Sequence, residues 1–293
     1  MKILGTGLTG LVGSRIAELL RDKYDFENLS RSSGVDISDK NKVLEKIKTS
    51  DAQIVLHLAA KTDVDGCEVD KPLGQNGEAW KINVEGARNI ADGCLQANKK
   101  LIYISTDFVF DGKNPPEGGY AETDVPNPIN WYAKTKYEAE KIVQNLKAPW
   151  IVARIAYPYR AEFTKPDFFR AILEKLREGK AIEVITDHIF TPTLIDDIAF
   201  ALNILIQGNS VGIFHVVGSQ KLTPFDAANI IADEFLEFDK SIINKTTMLE
   251  FFNNRAPRPF QLAIKNDKIT KLGAKMRTFI EGIKGIKRQY FSY

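Results

Sequence analysis

Gly5-Thr6-Gly7-Leu8-Thr9-Gly10-Leu11-Val12-Gly13 follows a short apolar start, Ile3-Leu4. Behind it, Val12, Ile16, Leu19 and Leu20 recur at helical spacing. The stretch therefore reads as strand, glycine turn and helix. Glycines there permit a tight turn, close backbone approach to a pyrophosphate and helix-on-strand packing. The helix N-terminus adds free N–H groups and a partial positive charge. Two registers overlap: Gly5, Gly7 and Gly10 fit G-x-G-x-x-G, whereas Thr6-Gly7, Gly10 and Gly13 fit T-G-x-x-G-x-x-G. An ordinary glycine-rich turn looks the same, so the rest of the chain has to decide.

Outward from this stretch, strand-like and helix-like segments alternate. Strands are expected at 26–29, 53–58, 101–105 and 150–153. Between them lie a helix capped by Ser38 that carries Val43, Leu44 and Ile47, and helices at 79–97 and 131–146. This order implies a parallel sheet covered on both faces, with right-handed crossovers. Ligands on such sheets bind beyond the carboxyl ends of the strands. The second half is less regular. Helices are expected at 168–176, at 194–206 opening with Asp196-Asp197, and from a Thr223 cap to about 236. Strands are expected at 182–185 and 213–217, and a basic, mixed stretch begins at 240. No repeat or low-complexity linker appears, so the boundary near Pro158 reads as a lobe boundary.

The chain has 293 residues, 44% hydrophobic and 27% charged, enough for one large α/β domain or a domain with a smaller lobe. A net charge of +2 is too balanced to argue for nucleic acid or an anionic membrane surface. Cys67 and Cys94 have no metal or redox spacing and read as free thiols in a reducing compartment. No metal site is expected. With no signal-type N-terminus and no run of about 18 apolar residues, the expected location is the cytoplasm.

Tyr132-Ala133-Lys134-Thr135-Lys136 opens a helix, and Tyr132 and Lys136 share one face. An ammonium beside a phenol favours the phenolate and brings tyrosine toward a useful acid/base range. A surface Tyr–Lys pair has the same pattern. Ser105-Thr106-Asp107 stands at a strand's carboxyl end, where a hydroxyl could stabilise developing alkoxide charge. Ordinary strand-end turn chemistry remains the alternative.

Taken together, the glycine turn, Thr106, Tyr132 and Lys136 resemble the extended short-chain dehydrogenase/reductase superfamily, and within it the dTDP-4-dehydrorhamnose reductase family. The matching stretches are 6–13, 57–65 (His57-Leu58-Ala59-Ala60-Lys61-Thr62-Asp63-Val64-Asp65), 105–112 and 132–140. Weaker echoes lie at 187–193, 212–215 and Arg258-Pro259. The resemblance implies a doubly wound, Rossmann-type parallel sheet with a smaller C-terminal α/β substrate lobe. Residues 1–157 would form the NADP-binding domain and 158–293 mainly the substrate lobe, with segments near 191–217 returning to the sheet. It also implies roles. Tyr132 would donate a proton to the reduced carbonyl, Lys136 would hold the nicotinamide ribose and tune Tyr132, and Thr106 would polarise the carbonyl. Gly7, Thr9, Gly10, Leu11 and Val12 would cradle the cofactor. Asp36 and Ile37 would lie against adenine, and Leu58, Ala59, Ala60 and Lys61 would line pyrophosphate and ribose. Asn83 matches a supporting helix asparagine, with capping or packing as its other reading.

The acid that holds a ribose 2′-OH is expected about 20 residues past the glycines. Ser30, Arg31, Ser32 and Ser33 stand there instead. Guanidinium matches phosphate geometry, so NADPH is expected over NADH, with Arg31 on the 2′-phosphate. At the sugar end, Asp107, Phe108, Tyr157, His188 and Arg258 are the substrate-binding candidates, and Arg154 and Arg170 are further candidates for a diphosphate. Phe108 stands where the family usually has tyrosine, and Ile155-Ala156-Tyr157 where it usually has tryptophan. The implied activity is reduction of a 4-keto-6-deoxy sugar nucleotide. A nucleotide-sugar epimerase or dehydratase, or an NADP-binding regulatory subunit like that of methionine adenosyltransferase, stays open. Many such enzymes are dimers, so a homodimer is the assembly the resemblance allows.

Overall fold

The computed structural model describes residues 1–235 and 240–291. In chain order the first half is β1 (Lys2–Thr6), α1 (Leu11–Leu20), β2 (Asp25–Asn28), α2 (Lys40–Thr49), β3 (Ile54–His57) and α3 (Val64–Asp70). Next come α4 (Glu78–Trp80) and α5 (Gly86–Gln96), one helical run joined through a π-type turn at Lys81–Glu85. β4 (Lys100–Thr106), α6 (Trp131–Gln144) and β5 (Trp150–Ile155) complete it. The second half holds β6 (Pro158–Tyr159), α7 (Phe168–Arg177), β7 (Ile182–Ile185), β8 (Thr193–Leu194), α8 (Ile195–Gln207) and β9 (Gly212–His215). It ends with α9 (Pro224–Phe235), β10 (Ile243–Thr246), α10 (Met248–Phe251), α11 (Asp267–Lys271) and α12 (Phe279–Phe291).

Six strands form a parallel sheet in the order β2-β1-β3-β4-β5-β9. Successive residues of a strand point to opposite faces, and here both faces are apolar. Ile3, Leu56, Ile102 and Ala153 pack against Ile16 and Leu20 of α1 and Ile198, Leu202 and Leu205 of α8. Their neighbours Leu4, Val55, Leu101 and Val152 pack on Val43 and Ile47 of α2, Ile90 and Cys94 of α5, and Val143 of α6. Burial on both faces explains why Ile54-Val55-Leu56 reads as a continuous apolar run. This is the doubly wound architecture, and its strand order reverses between β1 and β3.

A second core joins Tyr159, Phe169, Leu173, Leu222, Ile231, Phe279 and Ile283 beside two short parallel pairs, β7 with β10 and β6 with β8. The chain returns from it to the large sheet: α8 packs beside α1, and β9 extends the edge next to β5. Asp196 and Asp197 in the first turn of α8 favour its partial positive end. They also reach out, Asp196 to Arg15 at 2.7 Å and Asp197 to Arg277 at 2.8 Å.

Several boundaries differ from the sequence reading. Asp39, not Ser38, caps α2, accepting from Lys42 N at 3.2 Å. Asp36 takes the Ser38 backbone N–H and hydroxyl, at 2.9 and 2.8 Å, which spends Ser38 in the preceding turn. β1 runs through Gly5 to Thr6, one residue into the glycine stretch, and the Leu8 side chain packs against Gly5. Thr223 does cap α9, accepting from Asp226 N at 3.0 Å, while the expected end near 236 lies outside the described residues.

Arg154 on β5 is 1% exposed and pairs in bidentate fashion with Glu140 of α6, at 2.9 and 2.7 Å. Its guanidinium also lies over the Phe110 ring. It is therefore committed to the fold and is not offered to a diphosphate. Removing one partner of a buried pair strands the other charge, at a cost of about 3–5 kcal/mol. Glu140→Ala should lower unfolding stability by about that amount, read from denaturant melts. A loss of under about 1 kcal/mol, the value of an exposed pair, would contradict this.

Candidate active site

A cleft of about 430 Å³ opens beyond the carboxyl ends of β1, β3, β4 and β5. Gly7, Gly10, Leu11, Val12 and Gly13 form one wall, and Leu58, Ala59, Ala60, Thr62 and Val64 form a second. Ile104 to Phe108, Tyr132, Lys136, Ile155, Tyr157 and Pro158 close the other end.

The glycine wall is built by close approach. Gly7 has φ 68, and a Cβ there would meet Ala59 N at 2.8 Å. A Cβ on Gly13 would come within 2.3 Å of the Gly7 carbonyl oxygen. Gly10 is the N-cap of α1 and offers no side chain to its first N–H groups, which are left for an anion. Thr9 lies exposed on this loop.

Three side chains converge at the opposite end. Asn130 caps α6, accepting from Ala133 N at 2.8 Å, and so places Tyr132 in the first turn. Lys136 follows one turn later on the same face. Its Nζ donates to the Ile104 carbonyl at 2.8 Å and stands 4.2 Å from the centroid of the Tyr103 ring. Thr106 ends β4, accepts from Phe108 N at 3.2 Å and lines the cleft with Tyr132. Burial raises the Tyr132 phenol above its ordinary range, and the nearby Thr106 hydroxyl opposes that only in part. This is opposite to the lowering expected from the sequence, because the Lys136 ammonium is aimed at Ile104 and Tyr103. Burial in turn pushes Lys136 down to about 7.

Asn83 supports this end. Its Oδ1 accepts from Lys61 N at 2.8 Å, while its Nδ2 donates to Lys61 O and Thr135 Oγ1, tying the loop after β3 to α6. The Lys61 side chain leaves the cleft to pair with Glu78. Asp36 accepts from Arg31 Nε at 2.7 Å, and Arg31 remains 70% exposed at the side chain. Ile37 is buried against Gly86.

At the sugar-side end, Asp107 is buried and has one carboxyl oxygen, Oδ2, without a partner. Phe108 meets Tyr132 edge-on and Tyr157 at a tilt, both at 6.1 Å between centroids. His188 does not line the cleft directly. Its Nδ1 lies 2.9 Å from the Phe260 carbonyl and its Nε2 lies 3.0 Å from Tyr157 Oη. A carbonyl only accepts, so Nδ1 carries the proton and Tyr157 donates to Nε2. Burial lowers the His188 pKa and keeps the ring neutral. Arg258 pairs with Asp65 at 2.6 Å, bringing the loop before β-bridge residue Gln261 to α3 beside the cleft. Arg170 is buried against Asp167 and two backbone carbonyls, so it too is unavailable to a diphosphate. The sequence reading gave no site role to Thr62, Val64, Ile104, Ile155 and Pro158 in the lining. Their positions just past or at strand ends were the available signal. Among the described residues, no group of acidic, histidine and cysteine side chains could hold a metal ion, and no helix is long and apolar enough to cross a membrane.

A dTDP-4-dehydrorhamnose reductase of Aggregatibacter actinomycetemcomitans is 31% identical over 240 residues, spanning 80% of this chain and 79% of its own length. Methionine adenosyltransferase 2 subunit beta of Bos taurus is 29% identical over 298 residues, spanning 97% of this chain and 86% of its own. A crystal structure of dTDP-4-dehydrorhamnose reductase from Bacillus anthracis in complex with NADP superposes with a TM-score of 0.88 at 28% identity, covering 98% of this chain and 99% of that one. The model of the RmlD substrate binding domain matches residues 1–291. The chain therefore belongs to the RmlD substrate binding domain family, the family of the dTDP-4-dehydrorhamnose reductases.

Proposed function

We propose that the chain is an NADPH-dependent reductase of a 4-keto-6-deoxy sugar nucleotide, with dTDP-4-dehydrorhamnose as the substrate its relatives point to. The observation that carries this reading is the convergence of Thr106, Tyr132 and Lys136 at one end of the cleft whose other wall is the glycine loop. Residues 1–157 then serve the cofactor and 158–293 mainly the sugar nucleotide, with 191–217 returning to the sheet. Two unbridged, buried thiols, Cys67 and Cys94, support a cytoplasmic setting, and a homodimer is the proposed assembly.

The cleft suits a dinucleotide. The positive φ of Gly7, the uncapped start of α1 and the lack of room for a Cβ at Gly7 or Gly13 make a tight glycine turn along this wall. Gly7, Thr9, Gly10, Leu11 and Val12 would hold the pyrophosphate, with Leu58, Ala59, Ala60 and the Lys61 backbone beside them. Asp36 and Ile37 would bound the adenine, and Arg31 would take the 2′-phosphate. When bound, NADPH supplies the hydride. Tyr132 then donates its phenol proton to the carbonyl oxygen of the substrate. A phenol kept protonated by burial is the correct form for that step. Thr106 polarises the same oxygen, and Lys136 positions the cofactor ribose. Asp107, Phe108, Tyr157, His188 and Arg258 would shape the sugar end.

The complete Thr106, Tyr132 and Lys136 set supports turnover over a purely binding role such as that of a regulatory subunit. Stoichiometric NADPH consumption with 4-keto-6-deoxy sugar nucleotides tests the reductase against an epimerase or dehydratase, which would recycle its cofactor. Tyr132→Phe should lower kcat by roughly 10²–10⁴-fold while NADPH binding persists, and wild-type turnover in that variant refutes the role. Arg31→Ala should raise the KM for NADPH by about ten- to a hundredfold, the weight of a charge-assisted bond, and leave NADH nearly unaffected. Equal effects on both cofactors would remove Arg31 from the 2′-phosphate.

A further inference from the structure

We propose that Asp107 is a positioning residue that acts in its neutral form, donating to Thr106 so that the Thr106 hydroxyl is free to donate to the substrate carbonyl. This rests on the reductase reading above. It is drawn from a count of donors and acceptors at one hydroxyl. Thr106 Oγ1 lies 3.1 Å from Asp107 Oδ1 and accepts the Phe108 backbone N–H at 3.2 Å. The Tyr132 phenol lines the same end of the cleft. A threonine hydroxyl has one proton and two acceptor lone pairs.

If Asp107 is ionised, its Oδ1 can only accept, and it takes the Thr106 proton. One lone pair of Thr106 receives the Phe108 N–H, and no Thr106 proton remains for a substrate carbonyl. If Asp107 is neutral, its carboxyl proton fills one lone pair and Phe108 N–H the other. The Thr106 proton is then free for the substrate carbonyl, beside that of Tyr132. A donor chain of this kind also polarises its last member.

The surroundings favour the neutral carboxyl. Asp107 is buried at the end of β4, and its Oδ2 has no hydrogen-bond partner. The groups facing it are Tyr132 from α6, Tyr157 from the segment after β5 and, beyond Tyr132, Cys67 from α3. All three are neutral near pH 7, because burial raises each of them. The nearby cations are engaged elsewhere, Lys136 with Ile104 O and Arg258 with Asp65. His188, hydrogen-bonded to Tyr157, is held neutral. Burial pushes the Asp107 carboxyl up to about 8, outweighing the Thr106 hydroxyl and the backbone N–H groups of Asp107 and Phe108, which favour the ionised form. Its proton is therefore present at neutral pH and lost as the pH rises through that value.

The test compares pH profiles of kcat for wild type, Asp107→Asn and Asp107→Ala, each with and without Thr106→Val. In wild type, kcat should fall by about tenfold per pH unit on the alkaline side of about 8. Asp107→Asn, which cannot ionise, should lose the part of that fall centred near 8, whatever its absolute rate. The titration of Lys136 remains in both proteins, so the difference between their profiles isolates Asp107. Asp107→Ala should lower kcat by about ten- to a hundredfold, as lost polarisation of this kind does, with KM little changed. In the Thr106→Val background the same change should cost under about twofold. An alkaline profile in Asp107→Asn with the same shape as that of wild type, or an equal Asp107→Ala penalty without the Thr106 hydroxyl, overturns the proposal. A readout independent of turnover is the infrared carboxyl band in the wild-type minus Asp107→Asn difference, titrated from pH 6 to 9. A neutral carboxyl at pH 6 to 7 is expected, and a carboxylate already ionised at pH 6 overturns the proposal. Absence of keto-sugar turnover in wild type would instead overturn the reductase reading, with the infrared result still deciding the state of Asp107.

Discussion

The cleft depends on one buried hydroxyl. Thr6 Oγ1 accepts the backbone N–H groups of Leu58 and Ala59 at 3.2 and 3.0 Å, which fills both its lone pairs. Its proton must then go to His57 Nδ1, 2.7 Å away. The His57 ring therefore carries its own proton on Nε2, and burial pushes its pKa down to about 3, so it stays neutral. This clamp closes the end of the β1–β3 pair, the point where the strand order reverses. Beyond it, a Cβ on Gly7 would come within 2.8 Å of Ala59 N, so the glycine requirement at position 7 follows from this close approach as much as from any ligand.

At the other end, burial sets the chemistry. It raises the Tyr132 phenol, lowers the Lys136 ammonium to about 7 and raises the Asp107 carboxyl to about 8. Each shift goes toward the uncharged form, as desolvation dictates. Lys136 and Asp107 are thereby brought close to neutral pH, while Tyr132 is kept firmly as the phenol. Lys136 owes its place to the Ile104 carbonyl and the π-face of Tyr103 rather than to an anion. Tyr103 is itself buried, with its hydroxyl unpartnered. An ammonium so held keeps its geometry without pulling the neighbouring phenol toward phenolate.

The parallel sheet was legible because β3 and β4 are apolar on both faces and because strand–helix alternation leaves few other topologies. Ile182–Ile185 was legible as a strand even in the irregular half. What escaped notice depends on side chains meeting across long sequence distances. Nothing local distinguishes Arg154, matched to Glu140 inside the sheet, from an arginine reserved for phosphate. The same holds for Arg170, folded onto Asp167 and the carbonyls of Phe163 and Lys165. Ser38 lost the α2 cap to Asp39 because Asp36, two residues away, captured it. The direction of the Tyr132 shift was misread because the i, i+4 spacing places Lys136 on the same face but does not say where its ammonium points.

The sugar end follows from the same physics in a different balance. Tyr157 has φ 38, a left-handed backbone that a bulky residue adopts only when its surroundings hold it there. They do so: its hydroxyl donates to His188, its ring packs against Phe190 at 4.7 Å, and its carbonyl accepts from Thr193 N. Phe108 adds a ring without a hydroxyl between Tyr132 and Tyr157. This wall therefore spends its polar groups internally and presents aromatic carbon to the cleft. The unspent polar atoms lie at the opposite edge, where Ser105 Oγ and Asp107 Oδ2 are buried without partners.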